Sequence, residues 1–277
     1  MALSCWALLV QYLANNFDSL GRVLSQTSFT KGIASFGGPI SLLLALRTNT
    51  SLTRLLEARS SFGKMVRATK SLASLTATYI GPIHKEKALL LGRYLSIYGF
   101  CMKGLFRKEE DGPLVQAILP PNEADWMLKQ KQFEMDSPTC IHFRMRSLIA
   151  DIIEDIPLAA ANAMEDRISV LESALGVTKR LFASPIPPTY TRHTSRVLCL
   201  YLGLLPFALV RSRKTDIPFI LSVLVTIATT AYVFVGIDEI GVEIENPFPL
   251  LPMHSISKMI QKNVFNQLRL IEDMPAP

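Results

Sequence analysis

Two long uncharged stretches near the carboxyl-terminal end of the chain constrain its fold more than any other feature. Residues 197–210 (VLCLYLGLLPFALV) and 217–235 (IPFILSVLVTIATTAYVFV) carry no charged side chain, and residues 211–216 between them are polar. The second stretch is close to the roughly 20 residues that a helix needs to cross a bilayer. The first reaches a similar length when extended over Thr194 and Arg196, since an arginine at a helix end can reach the interface. The pattern predicts a hairpin of two antiparallel membrane helices; the alternative is two buried helices of a soluble protein.

The composition favours the membrane interpretation. The chain has 277 residues, of which 49% are hydrophobic and 19% charged, and its mean hydropathy is +0.28. Soluble domains carry about 25% charged residues, and this composition excludes intrinsic disorder, coiled coil and collagen. The net charge is +6 and the pI is near 9.2, and a pI this high is typical of nucleic-acid-binding proteins. The high hydrophobic content indicates instead a membrane protein with basic flanks or a basic interior, so we expect no nucleic-acid partner.

The amino-terminal segment carries a shorter apolar stretch. Residues 5–14 (CWALLVQYLA) are too few to cross a bilayer. Residues 2–17 hold no charge, so they have neither the basic start of a secretory signal nor the arginine-rich pattern of a transit peptide. Two interpretations stay open: a buried or interfacial helix, and the remainder of a membrane helix whose beginning is missing.

A further uncharged segment, residues 32–46 (GIASFGGPISLLLAL), contains a helix breaker. Its Gly37-Gly38-Pro39 sequence predicts a kink or a helix start. A break at membrane depth exposes backbone polar groups that must find partners. We therefore expect this segment to be packed inside protein or to face water.

The middle of the chain has the pattern of a basic, water-facing helical domain. Residues 47–110 hold twelve Lys or Arg and four Glu, a local excess of eight positive charges. Apolar residues recur there at helical spacing, and prolines mark the helix ends. No strand-like alternation of useful length is present, so the sequence predicts an all-α protein. The first of the apolar series consists of Leu52, Leu55, Leu56, Phe62 and Val66.

The sequence offers little support for catalysis. The four histidines show no i, i+4 pairing, and the four cysteines show no CxxC spacing. Glycine-rich phosphate loops and nucleophile-elbow motifs are absent from the sequence. We therefore expect no enzyme activity, no catalytic residue, no metal site and no cofactor.

One dense cluster of carboxylates follows the last uncharged stretch. It has two interpretations, a metal or proton site on the one hand and ion pairs with basic residues at the same membrane face on the other. The second is favoured, because carboxylates near a bilayer need cationic partners. The acids are Asp238, Glu239, Glu243 and Glu245, and the candidate partners are Arg47, Arg54 and Arg59.

Several separated motifs resemble the signature of the bestrophin family of anion channels. The strongest are residues 204–210 (LLPFALV) and 236–248 (GIDEIGVEIENPF). Shorter matches lie at residues 183–187 (ASPIP), 46–49 (LRTN) and 57–59 (EAR). The resemblance covers about residues 33–265, and residues 246–253 (NPFPLLPM) are most similar to the plant, algal and bacterial branch.

The resemblance implies a homopentamer that conducts monovalent anions passively through a pore on the fivefold axis. Chloride, nitrate and bicarbonate are the anions that it suggests, and the location is a lipid bilayer, either a thylakoid membrane or a bacterial cell membrane. Residues 1–277 form one subunit in this interpretation. Its segments are a truncated first helix with a pore-lining helix at 3–46, a water-facing helical domain at 47–193, a membrane hairpin at 194–237 and an acidic motif with a tail at 238–277.

The resemblance also implies a hydrophobic neck of three positions spaced by four residues. Carried over through residues 39–41, these are Gly38, Leu42 and Leu46. Gly38 departs from the bulky apolar residue expected there. Residues 249–252 (PLLP) replace the run of acids that calcium-gated relatives carry, and Ca²⁺ prefers carboxylate oxygens. Because the first helix is short, a non-conducting protein that only assembles in the membrane is the alternative function.

Overall fold

The computed structural model describes residues 2–17, 27–209 and 217–273, and within these ranges the regular structure is entirely helical. A π-helical turn, Thr76–Ile80, follows the third helix, and a 3₁₀ turn, Lys131–Phe133, follows the sixth. The polar loop 211–216, which the sequence predicts to join the hairpin, lies outside the described residues. The helices are α1 (Ala2–Asn16), α2 (Thr27–Ser35), α3 (Gly37–Leu75), α4 (Lys85–Arg107), α5 (Gly112–Ile118), α6 (Pro121–Gln130), α7 (Ser137–Ala150), α8 (Leu158–Ala183), α9 (Pro188–Leu209), α10 (Ile217–Glu243), α11 (Pro247–Leu250) and α12 (Met253–Asp273).

The chain divides into two compact units. The first comprises Met1–Leu55 and Pro185–Asn246, and the second comprises Leu56–Ser184 and Pro247–Pro277. The 39-residue helix α3 contributes to both, because it continues without a break past Leu55. The predicted segment boundary between residues 46 and 47 falls inside this helix.

In the first unit, α9 packs against α1, α2 and α10. Its buried apolar side chains meet those of α3 and α10 in one cluster, which removes apolar surface from water. Trp6 on α1 donates a hydrogen bond of 3.0 Å from its indole nitrogen to the carbonyl oxygen of Gly203. The buried members of the cluster are Ala7, Ile40, Leu44, Leu198, Tyr201, Leu202, Leu205 and Ile227.

The glycine-rich break between α2 and α3 is a helix start. Phe36 interrupts the helices, and α3 begins at Gly37 with Pro39 in its first turn, where a missing N–H costs no hydrogen bond. A Cβ at Gly37 would lie 3.0 Å from the hydroxyl oxygen of Tyr201. Glycine there lets the start of α3 approach the tyrosine closely.

One helix has the character of a membrane span. Within the three described ranges, α10 is the helix that is long and apolar enough to cross a bilayer. Its most apolar 18 residues have a mean hydropathy of 2.2, and only 6% of them are buried within the chain. The apolar part of α1, Leu3–Ala14, is shorter than a span. A membrane crossing by α9 stays a prediction, since residues 210–216 lie outside the described residues.

In the second unit, α4 is the central helix. It is packed by α12 and α7, and the side chains of Leu95 and Met102 are fully buried. The axis of α12 comes close because α4 has glycines at the contacts. A Cβ at Gly99 would lie 2.9 Å from the Cα of Ser257. The rings of Phe106 and Phe248 stack with centroids 4.6 Å apart, which joins the residues after Pro247 to this core.

The core of the second unit also contains paired polar groups. Glu123 accepts hydrogen bonds from the guanidinium of Arg144 and, at 2.7 Å, from the hydroxyl of Tyr94. The bond from Arg144 holds the pKa of Glu123 below its usual value. The Nε2 atom of the buried His142 lies 3.1 Å from the hydroxyl oxygen of Tyr98. Burial lowers the pKa of His142 from 6.5 to about 4, so this histidine is neutral at pH 7.

Candidate functional site

The first half of α3 presents an apolar stripe on its exposed face. Leu42 and Leu46 are 60% and 52% exposed, and Gly38 is exposed on the same face one turn earlier. Four residues of α-helix correspond to about 6 Å of rise, so the three positions follow one another along the axis. Ile40 and Leu44 lie on the opposite face and are 3% and 1% exposed. The helix therefore separates its leucines into a packed set and an unpacked set.

The exposed face changes character after Leu46. Asn49 and Thr53 are the next exposed positions at helical spacing, and both are polar. The predicted neck residues thus end where this face of the helix becomes polar, although Leu52 and Leu56 are exposed further along α3.

Arg47 is the first residue after the stripe, and it points into the protein. Its side chain is 1% exposed and contacts the carboxylate of Asp238 on α10. The same Nη1 atom lies 3.5 Å from the hydroxyl oxygen of Ser195 on α9, and that hydroxyl donates to Asp238 at 3.1 Å. The Nη2 atom lies 3.8 Å from Glu245. A guanidinium this deeply buried needs such counter-charges, and Arg47 therefore connects three helices.

A glycine on α10 lets Thr48, the residue after Arg47, approach closely. Gly241 is buried, and a Cβ built on it would lie 3.3 Å from Thr48 Oγ1 and 3.9 Å from Arg47 Nε. Asp238 and Gly241 share one face of α10, because they stand at positions i and i+3, and Glu245 lies in the turn that follows the helix. The guanidinium of Arg47 contacts Asp238 within α10 and lies 3.8 Å from Glu245 in the turn after it.

The structure brings together only part of the predicted acidic cluster. Asp238 and Glu245 contact Arg47, whereas the side chains of Glu239 and Glu243 are exposed. Of the other candidate basic partners, Arg54 is half-buried on α3, and Arg59 is exposed and belongs to the second unit.

No group of three or more His, Cys, Asp or Glu side chains is placed to hold a metal ion in the described part of the chain. Asp238 and Glu245, the two acids near Arg47, face its guanidinium, which already supplies a positive charge.

Sequence reasoning missed two residues of this site. Ser195 carries no pattern that connects it to Asp238, 43 positions further along. Gly241 was detectable in principle, because its spacing of three residues from Asp238 places both on one helical face. The signal would have been that spacing, had the helix been assumed to continue through Glu243.

Comparison with known proteins connects this geometry to a family. The sequence model described as Bacterial/Fungal Bestrophin protein matches residues 1–266. A voltage-dependent anion channel-forming protein of Synechocystis is 26% identical over 242 residues, which cover 83% of this chain and 75% of the relative. The chloroplastic voltage-dependent chloride channel 1 of Arabidopsis thaliana is 27% identical over 229 residues, covering 81% of this chain and about half (53%) of the relative.

Solved structures agree on the fold. The crystal structure of a bacterial bestrophin homologue from Klebsiella pneumoniae superposes with a TM-score of 0.81 at 22% identity, covering 96% of this chain and 97% of that one. The all-helical order, the motifs around the uncharged stretches and the match over residues 1–266 lead to one assignment. This chain belongs to the bacterial and fungal bestrophin family.

Proposed function

We propose that this protein is the subunit of a channel that conducts monovalent anions, chloride above all, passively across a membrane. The observation that carries the proposal is the exposed apolar stripe of α3, in which Leu42 and Leu46 stay uncovered while the neighbouring Leu44 is fully packed. Membership of the bestrophin family supports it, as do the relatives from Synechocystis and Arabidopsis, which are named as anion and chloride channels. In this proposal the chain acts as a channel and not as an enzyme.

Five copies around one axis would turn the stripe into a neck. Fivefold symmetry converts Leu42 and Leu46 into two stacked rings of five leucines about 6 Å apart. A narrow apolar pore loses its water, and this dewetting impedes ions until the neck widens. Gly38 has no side chain to narrow the pore, so the proposed constriction consists of the two leucine rings.

The membrane contacts of the subunit follow from the apolar helices. We place α10 across the bilayer, with α9 as its antiparallel neighbour in the hairpin of residues 194–237 and the segment 3–46 beside them. Residues 47–193 face water in this arrangement, and residues 238–277 carry the acidic motif and tail. The protein is then a multi-pass membrane protein of a bacterial cell membrane or a thylakoid.

The charge of the water-facing part suits an anion pathway. The second half of α3 exposes four basic side chains, and the excess of eight positive charges over residues 47–110 would raise the local concentration of anions. Nitrate and bicarbonate would be attracted by the same field. The four side chains are Arg59, Lys64, Arg67 and Lys70.

A second candidate is a non-conducting membrane protein that only assembles. The shortness of the apolar part of α1, Leu3–Ala14, favours it, because a helix of that length cannot cross a bilayer alone.

Recordings from purified protein in planar bilayers distinguish the two candidates. With a tenfold chloride gradient, an ideally anion-selective current reverses about 59 mV from zero, on the side set by chloride. A reversal potential that follows the potassium gradient would contradict the channel proposal. Complete absence of current from correctly assembled protein would favour the second candidate.

A further inference from the structure

We propose that Arg47 is a positioning residue of the pore: its buried contacts with Asp238 and Ser195 hold α3 so that Leu46 faces the conduction path. Anion permeability then depends on a side chain that never touches the ion. This inference rests on the proposed channel function and deepens it, because it names the group that sets the width of the neck.

The first argument is the adjacency of the two residues. Arg47 directly follows Leu46, so their side chains leave the helix about 100° apart. Fixing the direction of the guanidinium therefore fixes the direction of the leucine. A helix with side chains is about 10–12 Å across, so a leucine tip lies about 5 Å from the axis, and turning the helix by about 20° moves the tip by about 2 Å. In a ring of five leucines, a displacement of this size changes the width of the opening.

The second argument is the stiffness of the attachment. The guanidinium is held from two other helices at once, by Asp238 on α10 and by Ser195 on α9, and the serine also donates to the aspartate. A buried charge cannot move away from its counter-charge without a large desolvation cost. Helix α3 is thereby restrained at the level of the last apolar ring, where Leu46 is 52% exposed.

The third argument is that the pair is poorly built for stability alone. Arg47 is 1% exposed, yet its Nε atom has no hydrogen-bond partner among the described residues, and neither has its Nη2 atom, which lies 3.8 Å from Glu245. A pair of apolar side chains of similar volume is often as stable as a buried ion pair or more so. What the ion pair adds is a single defined orientation of α3 against α10.

The test replaces the pair while keeping its volume. In Arg47→Met/Asp238→Leu, both charges of the pair are removed, and the one carboxylate that loses Arg47 is Glu245, whose side chain is 21% exposed. The control is Arg144→Met/Glu123→Leu in the second unit, where a partly buried ion pair is replaced; Tyr94→Phe accompanies it, because the Tyr94 hydroxyl donates to Glu123. Both variants are compared with the wild type by thermal unfolding and by the thiocyanate-to-chloride permeability ratio in planar bilayers.

A second measurement reads the position of Leu46 without ion flow. Leu46→Cys is introduced after the exposed Cys5 and Cys199 have been changed to serine. The rate of modification of the new cysteine by a water-soluble methanethiosulfonate is then measured with the native pair and with the Met/Leu pair. This rate is measurable even if the wild type carries no current, in which case the proposed function fails and the positioning of α3 is still decided.

We expect Arg47→Met/Asp238→Leu to unfold within a few degrees of the wild type. Its permeability ratio should change at least threefold and the modification rate at least fivefold, while the control pair changes neither. Native values of both quantities in the assembled Met/Leu variant would overturn the proposal. If that variant does not assemble, Arg47→Lys provides the same test, because lysine keeps the charge but cannot contact Asp238 and Ser195 with one planar group. A native permeability ratio and a native modification rate in Arg47→Lys would also overturn the proposal.

Discussion

Truncating Leu46 should widen the proposed neck without weakening the protein. Leu46 is 52% exposed in the subunit, so a change to alanine removes only about half of the roughly 1.5–3 kcal/mol that full burial of a leucine provides. Leu44, two residues earlier, is 1% exposed, and its truncation should cost about 2–5 kcal/mol because it leaves a cavity in the cluster around Tyr201. The two substitutions delete the same atoms from opposite faces of one helical turn.

We expect Leu46→Ala to keep the oligomer, to raise the anion current at a given voltage and to weaken gating, since a wider apolar ring stays wet more of the time. Leu44→Ala should lower the yield and the unfolding temperature. Size-exclusion chromatography and thermal unfolding measure assembly, and planar-bilayer recording measures the current per channel. The matched pair separates a pore-facing leucine from a packing leucine within a single experiment.

Assembly and current together decide the outcome. An unchanged current in a well-assembled Leu42→Ala/Leu46→Ala double variant would refute the neck assignment. The same conclusion would follow if Leu46→Ala destabilised the protein as much as Leu44→Ala does, because both leucines would then be packing residues.

Three further predictions concern calcium, the acidic cluster and pH. Residues 249–252 offer no carboxylate, so open probability should be equal in chelator and in micromolar calcium; a reproducible activation by calcium in single-channel records would contradict this. Asp238→Asn should destabilise the protein by about 3–5 kcal/mol, because the buried Arg47 loses its counter-charge. Glu239 is exposed, so Glu239→Gln should change the free energy of unfolding by no more than about 0.5 kcal/mol. Equal unfolding temperatures for the two variants would argue against this difference. The pKa of His142 is about 4 in the folded protein and 6.5 in the unfolded chain. Between these pH values the unfolded chain binds a proton on this histidine that the folded protein does not. The free energy of unfolding therefore falls as the pH drops from 6.5 towards 4, by roughly 3 kcal/mol in total. His142→Gln should remove this part of the pH dependence of the unfolding free energy, and an unaltered slope would show that His142 does not cause it.

Much of the fold could be predicted from the sequence because helices depend on local patterns. The uncharged run of residues 217–235 became the membrane-length helix α10, and the Gly37-Gly38-Pro39 break became the start of α3. The absence of strand-like alternation predicted an all-α protein, and within the described ranges the regular structure is helical. The family could also be predicted, since its motifs are short continuous runs that keep their order around the apolar stretches.

The tertiary structure decided which of the predicted site residues are in contact. Four acids follow the last uncharged stretch, but only contacts between residues nearly 200 positions apart show that Asp238 and Glu245 turn towards Arg47 while Glu239 points away. The same holds for Ser195, which no local pattern connects to the pair. Helical periodicity places a side chain on a face, yet it does not say what that face packs against. Charge pairing in a buried site depends on the packing of whole helices, and therefore only the folded chain determines it.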